Sequence, residues 1–311
     1  MSAESPVFAA SARITRSSQR GVVRSRGWLK GRGGGWYYPL MKTLFSVTVV
    51  VLAVSSYLVA QAPAPAAPAP HRADGKPDFS GVWSAPYVPD MTRNGRNQVG
   101  HAEPPFSPAD TPATRQALYA KGNRAELPFT PWGLQEWTSY DATKDDATGN
   151  CFPYGLTRMI NAPYPMQIMQ DDRYIAFLFE LDMLHHIVPF SSTLPKHAAD
   201  NPSWYGYSLA RWDGDTLIVE SQGFNGYTRL DTVGHPHSNQ LRVTQTLKRL
   251  DADRIAHTIT IDDPKTYTRK WGNERVFRRL DEPLFEYSCE ENNKSLWDGR
   301  IKMWTPPWAK K

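Results

Sequence analysis

Tyr205-Gly206-Tyr207-Ser208-Leu209-Ala210-Arg211-Trp212-Asp213-Gly214-Asp215-Thr216-Leu217-Ile218-Val219-Glu220 reads as two strands joined by a tight turn. Asp213-Gly214 between strand-like runs is a strong hairpin signal, because both turn residues must accept positive φ. A second hairpin is predicted over residues 240–262, with a turn at 250–253. Leu241, Val243 and Leu247 share one face of its outgoing strand, and Ile255, Ile259 and Ile261 share one face of its return strand. The same alternation places Gln245 and His257 on those apolar faces. For both faces to agree, paired positions must sum to an even number, so Gln245 stands opposite His257 or one diagonal step away. Both are candidate ligand-binding residues.

Outward from these hairpins, residues 166–170 form a strand, Asp171-Asp172 a turn, and residues 173–180 a nearly continuous apolar run expected to be a central strand buried on both sides. Residues 184–189 return after a tight turn, and residues 275–280 and 285–287 add short strands. Asp78-Phe79-Ser80-Gly81-Val82-Trp83 reads as the first strand. Residues 86–150 are polar and broken by prolines, apart from a short helix expected at 112–121, and should wrap the domain or lid its mouth. Repeated strand–turn–strand units with little helical periodicity predict a mainly β fold, an antiparallel β-barrel or sandwich, in one domain over residues 78–311.

The amino-terminal part carries a different signal. Met41-Lys42, the apolar run 44–59 and Ala60-Gln61-Ala62 form a secretory signal peptide over residues 41–62 with a small-x-small cleavage pattern. Residues 1–40 then lie upstream of the natural start, and the Ala/Pro tract within 63–77 is a linker. The apolar run is shorter than the roughly 20 residues a membrane span needs, so no stable span is expected after cleavage and the protein is expected in the periplasm or outside the cell. The first 62 residues hold eight of the 36 Lys and Arg and one of the 31 Asp and Glu, leaving 28 basic against 30 acidic residues, a net of −2. The high isoelectric point therefore belongs to the leader, and no nucleic-acid partner follows from it. Cys151 and Cys289, the two cysteines of an exported chain, are expected to pair.

Gly81-Val82-Trp83 resembles the opening strand of lipocalin-type calycin barrels, in which the tryptophan closes the barrel base. The joint set Cys151-Phe152-Pro153, Pro165-Met166-Gln167-Ile168, Gly206-Tyr207-Ser208, Arg211-Trp212-Asp213-Gly214-Asp215-Thr216-Leu217, Gly223-Phe224-Asn225, Gly234-His235-Pro236-His237-Ser238 and Ile261-Asp262-Asp263-Pro264 resembles a family of exported bacterial proteins of unassigned function. That resemblance implies an exported domain and carries over no activity.

Asp231-x3-His235-x-His237, in the loop between the hairpins, is the most specific chemical pattern. In an extended segment His235 and His237 project to one side, as an acid–base pair requires, and Asp231 or Asp262 can orient one imidazole. No cofactor is expected. A metal on His235 and His237 is the alternative, with a third ligand from His185, His186 or His257. Structural use of these histidines as hydrogen-bonding anchors is the plainer reading. Glu180, at a strand end, becomes a candidate general acid or base if buried. Arg158, Tyr207, Tyr227 and Asp262 are candidate ligand contacts. No phosphate-binding glycine loop, G-x-S-x-G or H-E-x-x-H occurs. The resulting expectation is an acid–base lyase, isomerase or hydrolase acting on a small aromatic or cyclic molecule, with a lipocalin-like small-molecule carrier as the alternative.

Overall fold

Alternation decides the fold. In the computed structural model, residues 66–92, 113, 127–198, 200–291 and 293–306 are described. The expected leader, signal peptide and most of the 112–121 helix lie outside them. Nine strands form one antiparallel sheet: β1 (Gly81–Ser84), β2 (Met166–Gln170), β3 (Tyr174–Phe179), β4 (His185–Pro189), β5 (Tyr207–Asp213), β6 (Thr216–Gln222), β7 (Arg242–Arg249), β8 (Arg254–Asp262) and β9 (Trp271–Leu280). The order across the sheet is β4-β3-β2-β1-β9-β8-β7-β6-β5. Two meanders, β1 to β4 and β5 to β9, thus join where β9 pairs with β1.

The sheet is not a closed barrel. Among the described residues no backbone ladder joins β4 to β5, although side chains cross that seam. His186 Nε2 lies 2.8 Å from Ser208 Oγ, and Phe190 stacks on Trp212 with ring centroids 6.0 Å apart. The mainly β antiparallel class is therefore met, whereas neither a barrel nor a sandwich is established by this single sheet.

Odd-numbered residues of β6 to β8, and of β9 as far as Phe277, face the interior. Leu217, Val219, Val243, Leu247, Ile255, Ile259, Ile261 and Phe277 are buried, packed with Phe79, Trp83, Ile168, Ile175 and Phe177 from the other half. Trp83 is fully buried, donates from Nε1 to Phe79 O at 2.9 Å, and is covered by the Arg249 guanidinium 4.6 Å from its ring centre. Gly272 lies so close to the Ile259 carbonyl that any Cβ would collide with it. Close backbone approach, rather than a turn, therefore requires that glycine.

Several expectations need correction. The first hairpin turns at Gly214-Asp215, since Asp213 pairs with Thr216 and only Gly214 has the needed positive φ of 56°. β3 is one strand from the edge and not central: Ile175, Phe177 and Phe179 are buried while Tyr174 is exposed and Ala176 and Leu178 are half-buried. Residues 285–287 form no strand, and β9 begins at Trp271, where the polar Asn273 and Glu274 had masked its alternation. The expected linker is docked over its described part: Ala252 N donates to Ala67 O at 2.9 Å, and Arg72 Nη1 donates to Gln170 O at 2.6 Å.

The helices are short: α1 (Pro131–Ser139), α2 (Ala142–Asp145), α3 (Leu156–Ile160) and α4 (Lys294–Trp297). α1, which the sequence reading did not foresee, starts where the Thr130 hydroxyl accepts from Gly133 N and Pro131 occupies the first turn. None of the helices among the described residues is long and apolar enough to cross a membrane.

Cys151 and Cys289 form a disulfide spanning 138 residues. Closing a loop of that length constrains the unfolded chain by about 4–5 kcal/mol in the chain-entropy picture. The Cys151→Ser/Cys289→Ser variant is therefore expected to unfold at markedly lower urea than the oxidised protein. Coincident urea curves would show that the link contributes nothing.

Candidate functional site

Between β6 and β7 the chain makes a compact loop rather than an extended segment. Arg229 and Pro236 form a backbone bridge, and Leu230 N donates to His235 O at 2.8 Å, so Asp231 and His235 are folded back on each other. Gly234 permits this with φ of +95°, and a Cβ there would also run into the Tyr140 ring.

Asp231 is the centre of the loop. Its Oδ1 accepts from Gly234 N at 3.0 Å and His235 N at 3.1 Å, and its Oδ2 accepts from Met91 N at 2.8 Å and His235 Nδ1 at 2.6 Å. It is fully buried. Burial by itself would raise this carboxyl, but His235 and the backbone N–H donors outweigh it and hold the group below its ordinary value of 3.8. An ionised carboxylate facing Nδ1 fixes that nitrogen as the protonated one.

Aromatic walls hold the imidazole. Trp137 of α1 stacks on His235 at 4.4 Å with 15° between the planes, and Trp271 of β9 meets it edge-on at 6.2 Å. Tyr267 donates from its hydroxyl to Pro236 O at 2.8 Å. The described ends of the 86–150 segment thus cover this loop, through Met91 on one side and Trp137 on the other.

His237 is used differently. Its Nδ1 donates to Ser238 O at 3.0 Å, so Nε2 accepts the Thr228 hydroxyl at 2.8 Å. Burial pushes it down to about 4, which keeps the ring neutral. His235 and His237 do not form the one-sided pair that an extended segment would give, because the loop folds back at the bridge. The neighbouring Ser238 is tied to Asp263, whose Oδ2 accepts Ser238 N at 2.5 Å and Thr266 Oγ1 at 2.7 Å and whose Oδ1 accepts Ser238 Oγ at 2.7 Å.

The other candidates are dispersed. Gln245 and His257 meet on the inner face, with His257 Nε2 3.0 Å from Gln245 Oε1 and the ring stacked on Phe277 at 4.7 Å. Their registers, Gln245 to Ile259 and Leu247 to His257, make them diagonal neighbours. Asp262 points outward, pairs with Lys270 at 3.0 Å and lines an outer groove of about 320 Å³. Asp263 is the inward acid. Glu180 is half-buried and accepts from Phe285 N at 2.9 Å. Arg158 is committed to Asp146, at 2.8 and 2.9 Å from its two carboxylate oxygens. Tyr207 donates to Asn201 O at 2.7 Å. Tyr227 belongs to an aromatic group with Trp204 at 5.9 Å and Trp304 at 6.3 Å.

Asp90, missed in the sequence, is buried beside the pair. One ligand atom from each of Asp90, Asp231 and His235 lies within 4.8 Å of the others. Two carboxylates and an imidazole are a reasonable donor set for a divalent cation. Here Asp231 directs each of its oxygens at two N–H groups, so its carboxylate is already engaged by the loop and by Met91. A cation on His235 and His237 fits no better, since both His237 ring nitrogens are engaged within the loop.

No protein-family model matches this chain, and no curated protein matches it.

Proposed function

We propose that the protein is an exported enzyme that acts on a small molecule by proton transfer, with His235 as the acid–base group and Asp231 orienting it. The observation that carries this reading is the 2.6 Å bond between His235 Nδ1 and a fully buried Asp231 carboxylate that three backbone N–H groups also hold. Such a carboxylate sets the tautomer, prevents the ring from rotating, and stabilises the imidazolium formed when the ring takes up a proton. Trp137 shields one ring face from water, which strengthens that electrostatic support. His237 and Asp263 act behind the pair: their bonds to Thr228, Ser238 and Thr266 fix the loop on which His235 sits.

The chemistry available to a single oriented imidazole is proton abstraction or donation next to a carbonyl, or activation of water. This supports lyase, isomerase or hydrolase activity and asks for no nucleotide cofactor. Export is supported by the disulfide and by the signal-like run at 41–62.

The test uses a panel of small cyclic and aromatic lactones, esters and enolisable ketones, followed for hydrolysis and for solvent deuterium incorporation. His235→Gln is expected to lose 10²- to 10⁴-fold in turnover while melting within a few degrees of the parent. Undiminished turnover in His235→Gln removes the assignment. Binding of panel members without turnover, unaffected by His235→Gln, would favour the carrier.

A further inference from the structure

The interior of the sheet holds a positive charge that no acid balances. Arg275 is 2% exposed and lies on the inner face of β9 between Asn273 and Phe277. Its guanidinium meets neutral oxygens only: Nη1 donates to Asn161 Oδ1 and, at 3.4 Å, to Ile160 O, and Nη2 donates to Asn273 Oδ1 at 2.6 Å. These bonds use three of the five N–H groups of an arginine. Nε is buried without a partner. Burial drags the group down to about 9, and no charged neighbour offsets it.

Arg249, the other buried arginine of the sheet, shows the contrast. It too is pulled down by burial and by the nearby Arg279 charge, and its Nε and Nη1 also lack partners, but it lies over the Trp83 ring and within range of Asp78, Asp251 and Asp253. Arg275 has neither an aromatic face nor a carboxylate among the described residues. An uncompensated buried cation is costly, and buried charges are normally paired.

The shortage around Arg275 is of acceptors in particular. Asn161 Nδ2, beside Arg275, is also buried without a partner, as is Trp271 Nε1 further along the strand. Asn161 caps α3 directly against Arg275, and Trp271 precedes it on the same face. No side-chain carboxylate or amide oxygen is left unbonded in the same buried set. A group rich in acceptors and negatively charged would match these donors.

A bonded path leads from this cluster to the Asp231–His235 pair. Arg275 holds Asn273 Oδ1, Asn273 Nδ2 donates to Met91 O at 3.0 Å, and Met91 N donates to Asp231 Oδ2 at 2.8 Å. Trp271 stands between the two, four residues from Arg275, roughly 13 Å along a strand, and edge-on to His235 at 6.2 Å.

We propose that Arg275, with the Asn161 amide nitrogen, binds the carboxylate of a small aromatic or cyclic acid whose ring lies toward Trp271 and His235. A carboxylate supplies two adjacent oxygens, matching the guanidinium N–H groups left over, and neutralises the charge at once. The proposal rests on the acid–base reading for the role of the far end of the molecule, and on Arg275 alone for the anion.

The experiment titrates sodium benzoate, acetate, phosphate and sulfate against a chloride control at matched ionic strength, following melting temperature and tryptophan fluorescence. It compares the parent protein with Arg275→Met, Arg275→Lys and His235→Gln. Benzoate is expected to raise the melting temperature of the parent and of His235→Gln by several degrees. In Arg275→Met its affinity should fall at least 10-fold, and in Arg275→Lys it should be intermediate. Without any anion, Arg275→Met should melt at or above the parent, because an unbalanced charge has been replaced by an apolar chain of similar length. No carboxylate response in the parent, an equal response in Arg275→Met, or a response to phosphate or sulfate alone would each overturn the proposal. An Arg275→Met protein that melts far below the parent would make the arginine a structural strut and overturn it as well. Because His235→Gln should keep the benzoate response, failure of the acid–base reading and failure of the anion site give different results.

Discussion

Between pH 6.5 and pH 4 the protein should lose most of its stability. His186 and His237 are both pushed by burial from 6.5 down to about 4, and His257 is held well below its ordinary value by burial and the neighbouring Arg275 charge. In the unfolded chain these rings take up protons near pH 6.5, whereas the folded protein refuses them until about pH 4. The unfolded state therefore binds more protons throughout that window, so stability rises with pH and is lost as pH falls. Each histidine contributes about 1.4 kcal/mol per pH unit. Two of them over the whole window amount to roughly 7 kcal/mol, which rivals the total stability of an ordinary domain. Below about pH 4 the depressed carboxyls of Asp231 and Asp146 add to the loss. Urea unfolding at pH 7, 6, 5 and 4.5 should give a slope of at least two protons, and His237→Asn should reduce it by about one. Stability unchanged from pH 7 to pH 5 would mean that these imidazoles are already charged or reached by water in the folded protein.

What the sequence discloses well is whatever period two controls. The diagonal contact of Gln245 with His257 follows from parity alone, because a strand can put two polar residues inside only by keeping register with its apolar neighbours. The same parity was available for the acid at the end of β8: if 255, 257, 259 and 261 face inward, so does Asp263, while Asp262 must face solvent. Proximity to Pro264 drew attention to the wrong member of the pair. In β9, Asn273 and Arg275 alternate with exposed residues just as Trp271 and Phe277 do, but polar side chains at inward positions hide a strand from any hydrophobic count.

What the sequence does not disclose is set by contacts between distant segments. Nothing local announces that Met91 N and Trp137 would close around Asp231 and His235 from opposite sides of a long proline-rich stretch. The loop itself misled through its spacing. His235-x-His237 puts two rings on one side only if the backbone is extended, and the bridge from Arg229 to Pro236 with Gly234 at φ of +95° bends it instead. Arg275 escaped notice for a related reason. An arginine in a strand is normally solvated, and only the packing of α3 against β9 reveals that this one is sealed inside with amide oxygens.

Asp231→Ala should be the most damaging substitution in the loop. It leaves Met91 N, Gly234 N, His235 N and His235 Nδ1 without their acceptor in a fully buried place, whereas His235→Ala deletes one of those donors and leaves the backbone bonds to the carboxylate in position. An orphaned buried donor costs about 1–3 kcal/mol, and partial collapse of the loop keeps the total to about 4 kcal/mol rather than the full sum. For a domain of this size each kcal/mol moves the melting temperature by about 2–4 °C, so a drop of about 10 °C is expected. Asp231→Asn should fare little better, since its amide nitrogen must face N–H donors in either orientation. Asp262→Ala provides the control: its ion pair with Lys270 is solvent-exposed, and such pairs contribute at most about 1 kcal/mol. Thermal melts of the four variants at pH 7.5 would rank them. If Asp231→Ala and Asp262→Ala melt within a degree or two of each other, Asp231 does not organise the loop, and the orientation it is assigned to give His235 loses its support.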